Sequence, residues 1–346
     1  MMFSNGGAGP ARNSMLRIRP MTDDDIQLGQ RLREQAGWNQ TEADWRRFQD
    51  LAPQGCFVAE WDGVPVGTTT TCAFGGVTWI AMVLVEKSAR HRGIGTQLVE
   101  HAVRFLESQG ARTIRLDATA LGQPVYQRLG FVAEYQLSRF EGRLETTAPQ
   151  ETKNAQEARN KEDEAPTTGC GAIACDSLIS PLYDGRQEEM TASQNGQVVS
   201  DLIRIVEPLE PLDLAELTAL DQHCTGADRR ELLARLLAEA PQLAGKIVCE
   251  GHLQGYVLGR RGTHATQIGP ASALLPHQGR ALLDWMAHQC AGQAVFVDVP
   301  VDNQEAVAWC TERRLSVQRS FTRMFRGERV SDRPVLIWAS SGPEKG

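Results

Sequence analysis

The residues of this chain best suited to chemistry lie between positions 83 and 131. The run Arg90-His91-Arg92-Gly93-Ile94-Gly95-Thr96 joins an apolar stretch to an amphipathic one. Glycines at a helix start let the backbone approach a ligand closely, and the first-turn amides point outward without intrahelical partners. Gly93, Ile94, Gly95 and Thr96 therefore form a cradle for a phosphate group, with Arg90 and Arg92 adding positive charge beside it. Two better-known phosphate motifs do not fit. No Gly-Lys-Ser/Thr follows the glycines, and the dinucleotide fingerprint requires Gly or Ala where Leu98 stands. Downstream, Tyr126 offers a phenol that at its ordinary pKa of about 10 stays protonated and can donate. A tyrosine packed on a short helix is the competing reading. Asp117, at the end of a strand-like segment, and Glu86, beside the glycine loop, are carboxylates suited either to accepting a proton or to solvated and capping roles.

The elements that must position these groups follow from periodicity. Val77–Val85 is nearly continuously apolar and strand-sized. Leu98, Ala102, Phe105 and Leu106 recur at three- and four-residue spacing and predict an amphipathic helix. Upstream, residues 16–20 predict a strand, Thr22 a helix cap before an acidic turn at 23–25, residues 42–50 a helix, and residues 56–63 and 64–70 a hairpin. The same order recurs later: a strand at 202–206, then Pro211 with Leu212, Leu214, Leu217 and Leu220, a helix at 229–238, and a hairpin from 246–251 into 254–258. Each flank continues as strand, helix, strand, short helix and last strand, so the economical reading is an internal repeat of two mixed domains.

Between the flanks, residues 143–200 carry ten acidic and five basic side chains and few large apolar ones, the composition of a flexible linker. Cys170 and Cys175 within it lack a second ligand pair at metal-site spacing and read as incidental. The expected boundaries are a disordered leader at 1–14, a first domain at 15–141, the linker at 142–200, a second domain at 201–330 and a C-terminal tail at 331–346. The chain has 346 residues, 41% hydrophobic and 23% charged, with a net charge of -7 that argues against a broad nucleic-acid surface. No window is long and apolar enough for a membrane helix. The eight cysteines are too dispersed for a disulfide framework, which fits a reducing cytoplasm.

Arg90-His91-Arg92-Gly93-Ile94-Gly95 resembles the Arg/Gln-x-x-Gly-x-Gly/Ala signature of the GNAT superfamily of N-acetyltransferases. Val83-Leu84-Val85 before it is similar to that family's fourth strand, although Lys87 stands where proline is common. Residues 114–118 and then Tyr126 to Phe131 resemble its fifth strand, short helix and Tyr-x-x-x-Gly-Phe ending. The resemblance covers residues 16 to about 141.

It implies an α/β (α+β) fold: two tandem GNAT-like domains, each a mixed, mostly antiparallel central sheet flanked by helices. It also implies an acetyl-CoA-dependent N-acetyltransferase acting on a primary amine by direct attack on the thioester. The alternative is an acetyl-CoA-binding sensor without turnover. Backbone groups of Val83, Leu84 and Val85 would hold the pantetheine arm, and the amides from Arg90 through His91, Arg92, Gly93, Ile94, Gly95 and Thr96 the pyrophosphate. Tyr126 would protonate the departing thiolate, and the amine's proton would go to Asp117, to Glu86 or to a water chain. Trp38, Asn39 and Trp45 would shape the pocket for a small-molecule or peptide acceptor. No metal, nucleic acid or membrane partner is implied, and a homodimer is compatible. In the second flank no Arg-x-x-Gly-x-Gly follows residues 265–268, Cys310 stands at the tyrosine position and Arg314-Leu315 replaces Gly-Phe. That flank resembles a degenerate copy of the first.

Overall fold

The computed structural model describes residues 15–145 and 205–346. The expected leader, all of the linker beyond residue 145, Cys170, Cys175 and the first three residues of the strand expected at 202–206 lie outside the described residues. In the first half the chain forms β1 (Leu16–Pro20), α1 (Ile26–Gln35), α2 (Glu42–Leu51), β2 (Cys56–Trp61), β3 (Val64–Phe74), β4 (Val77–Val85), α3 (Ile94–Ser108), β5 (Thr113–Ala118), α4 (Gln123–Arg128) and β6 (Val132–Arg143). The second half repeats this order as β7 (Glu207–Pro208), α5 (Leu214–Thr225), α6 (Arg230–Glu239), β8 (Ala244–Cys249), β9 (His252–Arg260), β10 (Thr266–Ala273), α7 (Pro276–Gln289), β11 (Ala294–Pro300), α8 (Gln304–Glu312) and β12 (Ser316–Gly327). It then adds β13 (Ile337–Ala339).

Local chemistry sets the boundaries. The β2–β3 and β8–β9 turns run through Asp62-Gly63 and Glu250-Gly251, each pair with both φ values positive, the two-residue geometry that matches strand twist. Thr41 at the α2 start donates its amide to Asp44 Oδ2 at 2.8 Å, a reciprocal cap. Ile94, Leu98, Val99, Ala102, Val103 and Leu106 form the buried face of α3.

All strands among the described residues belong to one sheet, in the order β1-β2-β3-β4-β5-β12-β6-β11-β10-β9-β8-β7, with β13 paired to β10. The closing strands of the two halves are exchanged. β12, from the second half, pairs with β5 of the first, while β6, from the first half, pairs with β11 of the second. β6 and β12 pair with each other at the centre and bury equivalent positions, Leu137, Arg139 and Phe140 in one and Phe321, Arg323 and Met324 in the other. Two buried bidentate ion pairs clamp the exchange: Arg323 on Asp117 of β5, and Arg139 on Asp298 of β11.

Three boundaries differ from expectation. β6 continues to Arg143 because Gly142 and Arg143 are opposed by Val295 and Ala294 of β11. Among the described residues the opening strand of the second half is Glu207–Pro208, beyond residues 205 and 206, the described part of the segment expected at 202–206. Residues 331–346 are no tail: the apolar run at 335–339 includes β13, Trp338 is 2% exposed, and Ser341, Glu344 and Lys345 are buried. The polar ending masks this because its charges are paired, Glu344 with Arg260 and Lys345 with Glu344, both at 2.5 Å. Among the described residues no helix is long and apolar enough to cross a membrane, and no cluster of three or more His, Cys, Asp or Glu side chains could hold a metal.

Candidate active site

β4 and β5 run parallel but pair only at Val77–Trp79 with Thr113–Arg115. Beyond Trp79 they diverge, and the β5-facing edge of β4 from Ile80 onward is left without a strand partner. A bulge lies there: between Leu84 opposite Thr68 and Ala81 opposite Thr70, β4 carries one extra residue. Met82 takes φ 51°, and Thr68 Oγ1 donates to the Met82 carbonyl at 2.9 Å. A bulge re-aims a strand's backbone groups; this one turns Val83 and Leu84 toward the gap.

The gap opens into a cavity of about 780 Å³ lined by Val83, Leu84 and Val85 on one side and Tyr126 and Val125 on the other. At one end lie Arg90, His91, Gly93, Ile94, Gly95 and Thr96. The first three amides of α3 have no partner within a helix, and no side chain caps them. Gly93 precedes them with φ 77°, a left-handed conformation, and an added Cβ at Gly95 would meet only Val85 Cγ2 at 3.7 Å. The loop leaves these donors uncovered. Arg90 Nε donates to the Val85 carbonyl at 3.0 Å, fastening the loop to β4. Arg92 does not line the cavity: it lies over the Trp61 ring at 5.2 Å. Uncapped amides over a glycine surface suit the pyrophosphate expected from the sequence.

Tyr126 packs edge-on against Phe131 and its ring closes on Gly122. Burial pushes its phenol up to about 12, so it is protonated at neutral pH.

The Acetyltransferase (GNAT) family model matches residues 26–131, and an Acetyltransferase (GNAT) domain model matches residues 217–339. The chain belongs to the GNAT acetyltransferase family. A stretch of 104 residues is 34% identical to the N-alpha-acetyltransferase MAK3 of Arabidopsis thaliana; it takes in 28% of this chain and 54% of that protein, about half its length. A crystal structure from Pyrococcus horikoshii covers 96% of this chain and 96% of its own at 21% identity and a TM-score of 0.66. A GCN5-related N-acetyltransferase from Sphaerobacter thermophilus covers 92% of this chain and 98% of its own at 14% identity and a TM-score of 0.56. At these identities the likeness to the two structures is one of fold.

In this GNAT chain the remaining sequence-predicted residues divide. Asp117 lines the cavity, but Arg323 Nε and Nη2 donate to its two oxygens, each at 2.9 Å. Burial pushes the Asp117 carboxyl up, and the guanidinium pulls against it. Both Asp117 oxygens are thus engaged by the exchanged strand. Glu86 faces Arg31 at 3.3 Å, outside the cavity lining. Trp38 lines the cavity; Asn39 and Trp45 do not. Asn39 accepts from the amides of His264 and Ala265 through Oδ1 and donates to the Ala265 carbonyl, stitching the α1–α2 loop to the second half. Trp45 is fully buried against Gly29 in the core. Sequence reasoning missed Gln40, Arg139, Arg319, Phe321, Pro343 and Glu344, cavity-lining residues brought in by the α1–α2 loop, the exchanged strands and the C-terminal segment. Their signal is the pairing of β6 and β12, which is non-local.

The second half keeps the frame and fills the site. β10 and β11 pair only at Thr266–Ile268 with Val295–Val297, and β10 is irregular at the place equivalent to the β4 bulge. Here β13 enters the gap. Ala339 and Ile337 pair with Ala271 and Ser272, Ser340 N donates to the Asp298 carbonyl at 2.7 Å, and Asn303 Nδ2 donates to the Ile337 carbonyl at 3.0 Å. Trp338 presses on Gly279, where no Cβ would fit. Only residues 274 and 275 separate β10 from α7, against eight between β4 and α3, so the described residues have no counterpart of the glycine loop at this junction. Cys310 is buried in the core, and Arg314 takes φ 59° where Gly130 takes 84°.

Proposed function

We propose that the chain is an acetyl-CoA-dependent N-acetyltransferase with one coenzyme site, in the first half, acting on a primary amine. The observation that carries this reading is the uncapped start of α3 on Gly93 and Gly95 at one end of the cavity opened by the β4 bulge. Acetyl-CoA is the substrate: its pyrophosphate lies on the amides of Ile94, Gly95 and Thr96, and its pantetheine runs along the free edge of Val83 to Val85 as an added strand.

The amine nitrogen attacks the thioester carbonyl carbon, and an amide beside the bulge stabilises the developing oxyanion. As the carbon–sulfur bond breaks, the electron pair leaves on sulfur and the Tyr126 phenol supplies its proton. The burial that keeps Tyr126 protonated also makes it a weaker acid, so its proton moves in concert with bond cleavage. The two cavity-lining carboxylates are ion-paired, Asp117 with Arg323 and Glu344 with Arg260, so the amine's proton passes to solvent. Whether the acceptor is small or a peptide N-terminus, the attacking nitrogen must be uncharged.

The test is thiol release from acetyl-CoA by the intact chain with and without a mixture of primary amines, with acetylated product followed by mass. Amine-dependent release is expected. Tight acetyl-CoA binding with no amine-dependent release from any mixture would make the chain a sensor instead.

A further inference from the structure

The cavity wall carries several charged groups, and nearly all are neutralised within the protein. Arg139 donates to both oxygens of Asp298 at 2.7 Å. Asp117 is held by Arg323, and Glu344 by Arg260, Lys345 and Gln40. Arg90 is tied to the Val85 carbonyl at the glycine loop, and Arg128 is exposed on α4. Arg319 differs. It lines the cavity from β12, half-buried, and among the described residues its guanidinium has neither a hydrogen bond nor an ion pair. Glu141 on the neighbouring strand accepts instead from Gln318 Nε2 at 2.6 Å. The pseudo-equivalent residue on β6, Tyr135, is fully engaged, donating to Asp332 at 2.9 Å and accepting from Arg323 at 2.7 Å.

A strand alternates its faces, so Arg319, Phe321 and Arg323 share one side of β12. That side carries the exchange clamps, and Arg139 lies over the Phe321 ring at 5.4 Å. Burial lowers the Arg319 pKa and the neighbouring Arg139 lowers it further, against the pull of Asp298 and Glu141 at longer range. A half-buried guanidinium whose donors make no direct contact with a carboxylate is costly unless a ligand supplies one. The planar guanidinium fork matches a carboxylate or phosphate in two-point contact. The wall beyond it is closed by the second half: besides the Asn39 bonds, Thr263 N donates to the Asn39 carbonyl at 2.9 Å, and Gln40 Nε2 donates to Glu344 at 3.0 Å.

We propose that Arg319 anchors an anionic group on the acceptor, so that the amine acetylated belongs to a small molecule that also carries a carboxylate or phosphate. This rests on the acetyl-transfer reading above. The second half then contributes a specificity residue to the first half's site through the exchanged strand.

The experiment uses the intact chain, acetyl-CoA and matched amines: β-alanine against propylamine, phosphoethanolamine against ethanolamine, with spermidine and a C-terminally amidated tetrapeptide as further arms. Initial rates are read by product mass. At least one anionic amine should have a kcat/KM tenfold or more above its neutral partner, the two pairs separating carboxylate from phosphate. Arg319→Gln should collapse that ratio mainly through KM, and Arg319→Lys should restore part of it. Preference for a neutral amine, spermidine or the peptide would overturn the proposal, as would a ratio that survives Arg319→Gln or no turnover of any arm. Calorimetric binding of acetyl-CoA to each protein separates the two levels. Loss of binding in the wild type refutes the catalytic reading itself; retained binding without anion preference refutes only the role of Arg319.

Discussion

Asp117 decides between two accounts of the molecule, as a catalytic base or as half of a clamp between exchanged strands. Its carboxylate is 1% exposed and the Arg323 side chain 3%, with two contacts of 2.9 Å between them. Arg323 also lies over the Trp79 ring at 4.8 Å and donates to the Tyr135 hydroxyl. Replacing Arg323 by Met leaves a buried carboxylate without its cation, which costs about 3–5 kcal/mol. Asp117→Asn keeps one acceptor for the guanidinium and falls toward the lower end of that range. The double variant removes the charge imbalance, so the two losses should fail to add by about 2 kcal/mol. Urea unfolding of the intact chain measures all four proteins. Because the sheet is continuous, a single transition with an unchanged slope is expected. Asp298→Asn and Arg139→Met should give a second cycle of similar size. The reasoning is refuted if Asp117→Asn unfolds within about 0.5 kcal/mol of the wild type yet loses its catalytic rate with a shifted pH profile.

Other consequences are equally open to measurement. Tyr126→Phe should lower kcat by about a hundredfold while calorimetric affinity for acetyl-CoA stays within about twofold; equal losses in both would return Tyr126 to packing. Trp338→Ala should destabilise the chain by about 3–5 kcal/mol in urea without changing acetyl-CoA affinity, because β13 fills the other half's gap; a weaker coenzyme site would contradict that separation. Burial pushes the thiols of Cys56, Cys224 and Cys290 up to about 12, 11 and 11. Their contribution to stability is complete below the unfolded thiol range near pH 9 and is lost as pH rises toward 11–12, so the urea midpoint should fall over that window. A flat midpoint from pH 8 to 11 would show that these thiols are accessible.

Much of the frame is legible locally. The continuous apolar run gives β4 its bounds, and the three- and four-residue spacing of Leu98, Ala102 and Leu106 gives α3 its buried face. Asp62-Gly63 and Glu250-Gly251 supply the positive φ values their turns require. The glycine loop is legible for the same reason, since its chemistry lies in consecutive residues. What escapes is anything set by a distant partner. Alternation along β6 and β12 tells which side chains face inward but not which strand lies alongside. The partner that engages Asp117 is 206 residues away. Asn39 and Trp45 have residue types suited to a binding pocket, yet one is consumed by backbone groups of the second half and the other by the core. β10 continues through Gly269 and Pro270, residues that read as a strand's end, and β13 is hidden beside a Gly-Pro-Glu-Lys-Gly ending whose charges find buried partners.

The exchange also governs how the coenzyme site must be assayed. Cutting between the halves would strip β6 and β12 of neighbours, so binding belongs to the intact chain. The central measurement is calorimetric titration of acetyl-CoA into the wild type and Gly95→Glu. At Gly95 the backbone is not left-handed and a Cβ has room, and an acidic residue in a first helical turn is favourable to the helix. The variant should therefore keep its urea midpoint. Loss of two charge-assisted amide bonds, at about 1.5–3 kcal/mol each, weakens binding by roughly a hundredfold or more. The account predicts one site per chain in the wild type and its loss in Gly95→Glu. Two sites per chain, or undiminished binding by the variant, would contradict it.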